Sequence, residues 1–168
     1  MDDAKQLLTE LNGYFLEDLT VGMTAVYAKT ITDTDIVMFA GISGDTNPVH
    51  LNQDYASATM FKSRIAHGML SAGFISTVLG TKLPGPGCIY LSQNLKFKAP
   101  VRVGDTVVAR ATITDIDEYV RARHGSHDVR VALLREYLNN YARGDRSTDR
   151  QIVTMWNLVC RSVWPQRV

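Results

Sequence analysis

His67-Gly68-Met69-Leu70-Ser71-Ala72-Gly73-Phe74-Ile75-Ser76-Thr77-Val78-Leu79, closed by Gly80, is the stretch that decides the fold. Its residues are small or apolar nearly all round, and a helix apolar on every side is one that other elements cover. The sequence therefore predicts a buried central helix. After the turn Leu83-Pro84-Gly85-Pro86-Gly87 come two strand-like runs, Cys88 to Phe97 and Asp105 to Thr114, rich in β-branched and aromatic residues. Between them, Ala99 to Asp105 reads as a hairpin connection. One helix followed by antiparallel strands, without βαβ repeats, predicts an α+β domain rather than a doubly wound sheet.

Working back from the helix, Thr24 to Ile31 carries β-formers at alternate positions and reads as an outer strand. Thr32-Asp33-Thr34-Asp35 supplies an N-cap and first-turn acids for a helix with Ile36, Val37, Phe39 and Ala40 at helical spacing. That helix delivers the chain into Ser43-Gly44-Asp45-Thr46-Asn47-Pro48-Val49-His50. Asn-Pro breaks a helix, because proline fixes its own φ and biases the residue before it away from the α region. Beyond His50, Asn52 can cap a second short helix over Asp54 to Thr59, with Met60-Phe61 as its anchor to the core. Two helices and a turn thus form a flap over the sheet.

Asp45 and His50 stand either side of that turn, where the bend can bring a carboxylate and an imidazole to one water, as proton transfer requires. The same Asp can equally be a turn former, since Asp and Asn side chains bond their own backbone. At the other end of the flap, Gly68 opens the buried helix, where first-turn amides and the positive end of the dipole can meet a ligand oxygen, and where a missing Cβ lets either a ligand or a packing neighbour approach.

The order Phe39-x-x-Ile42-Ser43-Gly44-Asp45-x-Asn47-Pro48-Val49-His50, with Ala56 six residues on and Ala66-His67-Gly68-Met69 at the start of the central helix, resembles the signature of the MaoC-like, (R)-specific enoyl-CoA hydratase (hydratase 2) family. The match runs from about Thr32 to Val108. The resemblance implies a hot-dog fold, an antiparallel sheet wrapped around the central helix, and a homodimer or paired-domain assembly, here a homodimer. It implies an enzyme that hydrates trans-2-enoyl-CoA to (R)-3-hydroxyacyl-CoA, reversibly, in fatty-acid or polyhydroxyalkanoate metabolism. Asp45 and His50 would be the catalytic pair and the Gly68 amide the donor to the thioester oxygen. Asn47 would fix the turn or bond the acyl group or the catalytic pair, while Ser76 and Phe74 would line the substrate pocket. The phosphates of coenzyme A would meet cations among Lys62, Arg64, Lys96, Lys98 and Arg102. Alternatives that share these residues are a dehydratase for a branched, dicarboxylic or carrier-protein-bound acyl thioester, and a non-catalytic acyl-thioester-binding subunit. A thioesterase suits the fold but not the complete signature.

The rest of the chain bounds this reading. With 168 residues, 45% of them apolar and 21% charged, the chain suits one globular domain over residues 1–168. A formal charge of +1 without a long basic run argues against a nucleic-acid partner. The N-terminus lacks a signal peptide's basic and apolar regions, and no apolar run reaches a membrane span, which predicts a cytoplasmic protein without a membrane partner. No metal, flavin or nucleotide motif is present, so no cofactor is expected and coenzyme A enters with the substrate. Cys88 and Cys160 lack metal or disulfide spacing and read as buried or idle thiols. Residues 1–13 read as a short amphipathic helix or a terminal arm. The resemblance thins over residues 117–168: a charged loop from Asp117 to His127, a strand from Val129 to Leu138, a turn from Ala142 to Arg150 and a last strand from Gln151 to Arg161. His124 and His127 read as solvated loop residues, and Trp156 and Trp164 as packing residues.

Overall fold

The computed structural model describes residues 6–7, 10–15, 18–90, 93–114, 116, 139–141 and 160–162. Strand β1, Thr24–Thr30, pairs antiparallel with β3, Thr106–Thr112, in register from Thr24 opposite Thr112 to Thr30 opposite Thr106. Threonine hydroxyls bond across both ends of the pair, at 3.0 Å and 2.8 Å. Strand β4, Asn139–Tyr141, adds to the far side of β3, which leaves β1 at the edge of the described sheet. Strand β2, Cys88–Tyr90, pairs antiparallel with β5, Cys160–Ser162.

Two expectations about the strands need correction. Among the described residues, the regular strand after Gly87 is Cys88–Tyr90, and residues 93–98 are irregular. Nor do residues 99–105 join paired strands, because β2 and β3 lie in different described sheets. The segment instead crosses beside the end of β1, where the Gly104 amide donates to Ile31, the Ile31 amide to Asp105, and the Ala66 amide to Val101. Gly104, at φ +90°, supplies the reversal that the sequence signals. A local turn does not choose a strand's neighbour, and the order of the sheet follows from wrapping the helix.

Helix α1, Asp33–Ser43, begins where the sequence predicts, at Thr32, and ends on Gly44 in the left-handed conformation at φ 76°. The one-turn helix α2, Pro48–Leu51, is capped by Asn47, and α3, Gln53–Ala58, by Asn52. The residues after α3 depart from expectation. Met60 is 85% exposed and anchors nothing, whereas Phe61 is half-buried and its carbonyl accepts from Arg102 at 3.1 Å.

Central helix α4, Gly68–Thr81, presses Ser71, Ala72, Phe74, Ile75, Val78 and Leu79 inward. Opposite them, β3 turns Val107, Ala109 and Ala111 to the helix and Arg110 outward, the period-two alternation of a strand with one covered face. The small alanines let the helix approach closely. Complete burial of side chains such as Ile75, Val78 and Leu79 stabilises by roughly 1.5–3 kcal/mol each. The helix is not covered all round, however. Met69, Gly73, Ser76 and Gly80 form an exposed line along its other face.

Among the described residues, no helix is long and apolar enough to cross a membrane. The expected strand over 129–138, the loop over 117–127, the turn over 142–150, most of the last strand, His124, His127, Trp156 and Trp164 lie outside the described residues.

Candidate active site

The Ser43 to His50 segment is a chain of side-chain caps. The Ser43 hydroxyl accepts from the Asp45 amide at 3.2 Å, Asp45 Oδ1 from the Asn47 amide at 3.2 Å, and Asn47 Oδ1 from the Val49 amide at 3.2 Å. Asn47 also receives the His50 amide on its carbonyl at 2.9 Å. Both of its acceptors are therefore used to hold the turn. Asp45 and Asn47 are thus each bonded to residues two or three ahead, and the turn they hold leaves Asp45 exposed and the His50 ring in the interior, 8% exposed.

His50 is oriented from behind. Its Nδ1 lies 2.8 Å from the carbonyl of Ile65, which can only accept, so the neutral ring carries its hydrogen on Nδ1 and its lone pair on Nε2. The Ile65 amide in turn donates to Val49 at 3.3 Å, which docks the strand of chain leading to α4 beside α2.

A third group completes the cluster. His67, the residue before Gly68, is 2% exposed; its Nε2 lies 2.9 Å from the main-chain carbonyl of Asp45, and its ring is stacked on His50 with centroids 3.8 Å apart and planes tilted 32°. Phe39 of α1 covers it at a centroid distance of 5.0 Å. One ligand-type atom from each of Asp45, His50 and His67 lies within 4.8 Å of the others. Such a set can hold a metal or share protons over a water.

His67 is the member of the cluster to which the sequence reading gave no role. A signal for it exists: histidine is a poor N-cap beside Ser, Thr, Asp or Asn, and His67 does occupy the N-cap of α4 without any side-chain capping bond. A residue that declines the capping role has its side chain engaged elsewhere.

Gly68 is the first residue of α4, so its N–H belongs to the first-turn amides that no helical carbonyl can satisfy. A Cβ there would meet the Phe97 ring at 3.0 Å. The missing side chain is thus required by Phe97, and the amide remains a separate matter of helix geometry. Phe74 is buried in the core, its ring 5.5 Å from that of Tyr27. Packing against the sheet has claimed it. Ser76 lies on the exposed line of α4. Of the expected phosphate-binding cations, Arg64 pairs with Asp33, and Arg102 donates to Ser63 Oγ at 3.0 Å and to the Phe61 carbonyl. Lys62, Lys96 and Lys98 are exposed.

The family model for the MaoC-like domain matches residues 20–133. The chain is 64% identical to an (R)-specific enoyl-CoA hydratase of Rhodospirillum rubrum over 103 residues, 61% of this chain and 72% of that protein. It is 51% identical to a 3-hydroxybutyryl-CoA dehydratase of Methylorubrum extorquens over 118 residues, 70% of this chain and 75% of the relative. Among solved structures, the unliganded R-hydratase of Pseudomonas aeruginosa superposes with a TM-score of 0.71 at 35% identity, covering 89% of this chain and 86% of that one. The antiparallel sheet around α4 is the hot-dog fold of these hydratases.

Proposed function

The chain belongs to the MaoC-like domain family, and from that premise we infer that it is an (R)-specific enoyl-CoA hydratase, a lyase that adds water to trans-2-enoyl-CoA to give (R)-3-hydroxyacyl-CoA and runs in reverse as a dehydratase. The observation that carries the reading is the meeting of the Asp45 carboxylate with a His50 imidazole whose Nδ1 is committed to Ile65.

In the mechanism we propose, a water sits between the Asp45 carboxylate and His50 Nε2. Its oxygen forms the new bond to C3 of the enoyl group as one of its protons passes to the pair, and the pair delivers a proton to C2. The two groups act as one proton reservoir, with roles that belong to the pair rather than to either member. Charge that builds on the thioester oxygen is met by the Gly68 amide at the positive end of α4. With water and proton supplied from one flap, addition occurs on one face of the double bond. Asn47 serves by holding the turn. No cofactor enters the reaction, and coenzyme A arrives with the substrate, its phosphates meeting Lys62, Lys96 and Lys98.

We also propose a homodimer. What supports it is the line of Met69, Gly73, Ser76 and Gly80 on a helix otherwise apolar, with Met38 and Ile42 of α1 also exposed, at 58% and 81%. In a dimer, Ser76 would face the partner or the acyl chain. Light scattering on the eluting peak of a size-exclusion column would return twice the monomer mass; a monomer would overturn the assembly.

The test of the function is the loss of enoyl absorbance with crotonyl-CoA and a longer trans-2-enoyl-CoA, for the parent protein, Asp45→Asn and His50→Ala. The parent should hydrate to the (R)-alcohol, and each folded variant should lose about 10²- to 10⁴-fold or more in kcat. No hydration by the parent, or full activity in the variants, would defeat the reading.

A further inference from the structure

His67 belongs to the site but has no place in the chemistry described above, and it is unusual on several counts at once. It is almost wholly buried, it occupies an N-cap without capping, and its Nε2 reaches across 22 positions of sequence to the main-chain carbonyl of Asp45 at 2.9 Å. A carbonyl only accepts, so the neutral ring carries its hydrogen on Nε2 and leaves Nδ1 with a lone pair. That Nδ1 has no partner. Among the described residues, the buried side-chain polar atoms left without one are His67 Nδ1 and Ser71 Oγ, an acceptor and a donor one helical turn apart. An unpartnered buried nitrogen is costly, and a side chain serving only as packing would do better as phenylalanine. The retained nitrogen has to be explained by the bond that the other nitrogen makes.

That bond lands on the catalytic residue itself. The Asp45 main chain is held on one side by the Ser43 cap on its amide and on the other by His67 on its carbonyl. His50, the other member of the pair, packs against the same His67 ring, centroids 3.8 Å apart and planes tilted 32°. One side chain at the mouth of the central helix thus touches both halves of the pair, through the backbone of one and the ring face of the other. We propose that His67 is a positioning residue for hydration: its Nε2–H sets the height of the Asp45 carboxylate relative to His50, so that both address the same water. The inference rests on the reading of Asp45 and His50 as the proton-transfer pair.

The bond and the ring can be separated by substitution. In His67→Gln the side-chain NH2 falls near the position of the imidazole Nε2 and can still donate to Asp45, whereas His67→Phe keeps a flat ring under His50 and removes the donor. With crotonyl-CoA, His67→Phe should lose on the order of 100-fold in kcat, the scale of a misplacement of about 1 Å in a catalytic group, with KM within about two-fold. His67→Gln should recover to within about ten-fold of the parent. A purely structural role would impair both variants alike and in step with their melting temperatures, and that pattern would overturn the proposal, as would a fully active His67→Phe. A readout independent of activity is the ¹⁵N spectrum of the parent's imidazoles. A single Nε2–H tautomer for His67, protected from exchange, is expected, and an Nδ1–H tautomer would overturn the proposal even if His67→Phe failed to fold. An inactive parent with the expected tautomer would count against the assigned reaction and leave the His67–Asp45 bond standing.

Discussion

Helices α1 and α4 begin in opposite ways. At α1, Thr32 Oγ1 accepts the Asp35 amide at 3.2 Å while the Asp35 carboxylate takes the Thr32 amide at 2.8 Å, a reciprocal capping box that closes the helix end. Lys29 adds an ion pair to the same carboxylate at 3.1 Å. At α4 the N-cap side chain turns away to the Asp45 loop, and no acidic residue stands in the first turn. The first end is satisfied from within the chain. The second keeps amides and dipole available to an outside acceptor. Stability and function have taken the same backbone feature and finished it differently, and the difference can be tested from either end.

The larger effect is expected at α4. Gly68→Pro removes the one N–H assigned to the thioester oxygen while keeping a backbone that the site tolerates, since proline is favoured at the first helical position and His67, at φ −60° and ψ 135°, already has the conformation preferred before proline. Gly68→Ala is the matched control, because both variants bring a Cβ against Phe97. The ratio of their kcat values therefore cancels the Cβ contact and reports the exchange of the N–H for the proline Cδ. Gly68→Pro should fall about 10²- to 10³-fold below Gly68→Ala, the usual effect of one lost oxyanion donor. Equal rates would mean that the open helix end is not used and that the contrast with α1 is incidental.

At α1 the same kind of change should act on stability and leave catalysis alone. Thr32→Ala removes the hydroxyl that accepts the Asp35 amide and donates to the Asp35 carboxylate at 2.7 Å. The expected loss is about 1 kcal/mol, or roughly 2–4 °C in melting temperature for a chain of this size, with kcat unchanged within about two-fold. A large fall in kcat would show that the two helix ends are not independent.

Much of this was legible in the sequence because its causes are local. Thr32 and Asn52 mark helix starts by their own side chains, and they lie where the structure places them; the Asn47-Pro48 step, read as a break, ends the preceding helix as expected but also opens the one-turn helix α2. Alternation in Thr24 to Thr30 and the apolar run of α4 likewise act over a few residues. What could not be read was set by partners distant in the chain. The neighbour of β3 is β1, some eighty residues earlier, and not the strand just before it. Met60 faces solvent because no distant element among the described residues comes to meet it. Phe74 has the composition of a pocket residue and packs in the core against Tyr27. In the site, the spacing of Asp45 and His50 announced a bend, yet His67 became visible only when the fold brought it beneath them. Position 67 looks like the prelude to a helix until its ring is seen to face elsewhere.

The smallest effect is the pH dependence of the closed end. Burial alone would raise the Asp35 carboxyl, but the bonds from the Thr32 hydroxyl and amide, together with the Lys29 ammonium, outweigh it and hold the group below its ordinary value. A carboxyl lower in the folded than in the unfolded chain contributes stability that is fully present above the unfolded value, near 4, and fades as the pH falls through the folded one. Asp35→Asn should therefore melt below the parent at pH 7, and the gap should narrow as the pH is taken below about 4, where the parent's own carboxyl takes up a proton and comes to resemble the amide. Melting curves of both proteins from pH 3 to pH 7 would show it. A gap independent of pH would mean that Asp35 works through the shape of the cap rather than its charge. The closed end would then differ from the open end at Gly68 in hydrogen bonding alone, with no electrostatic part.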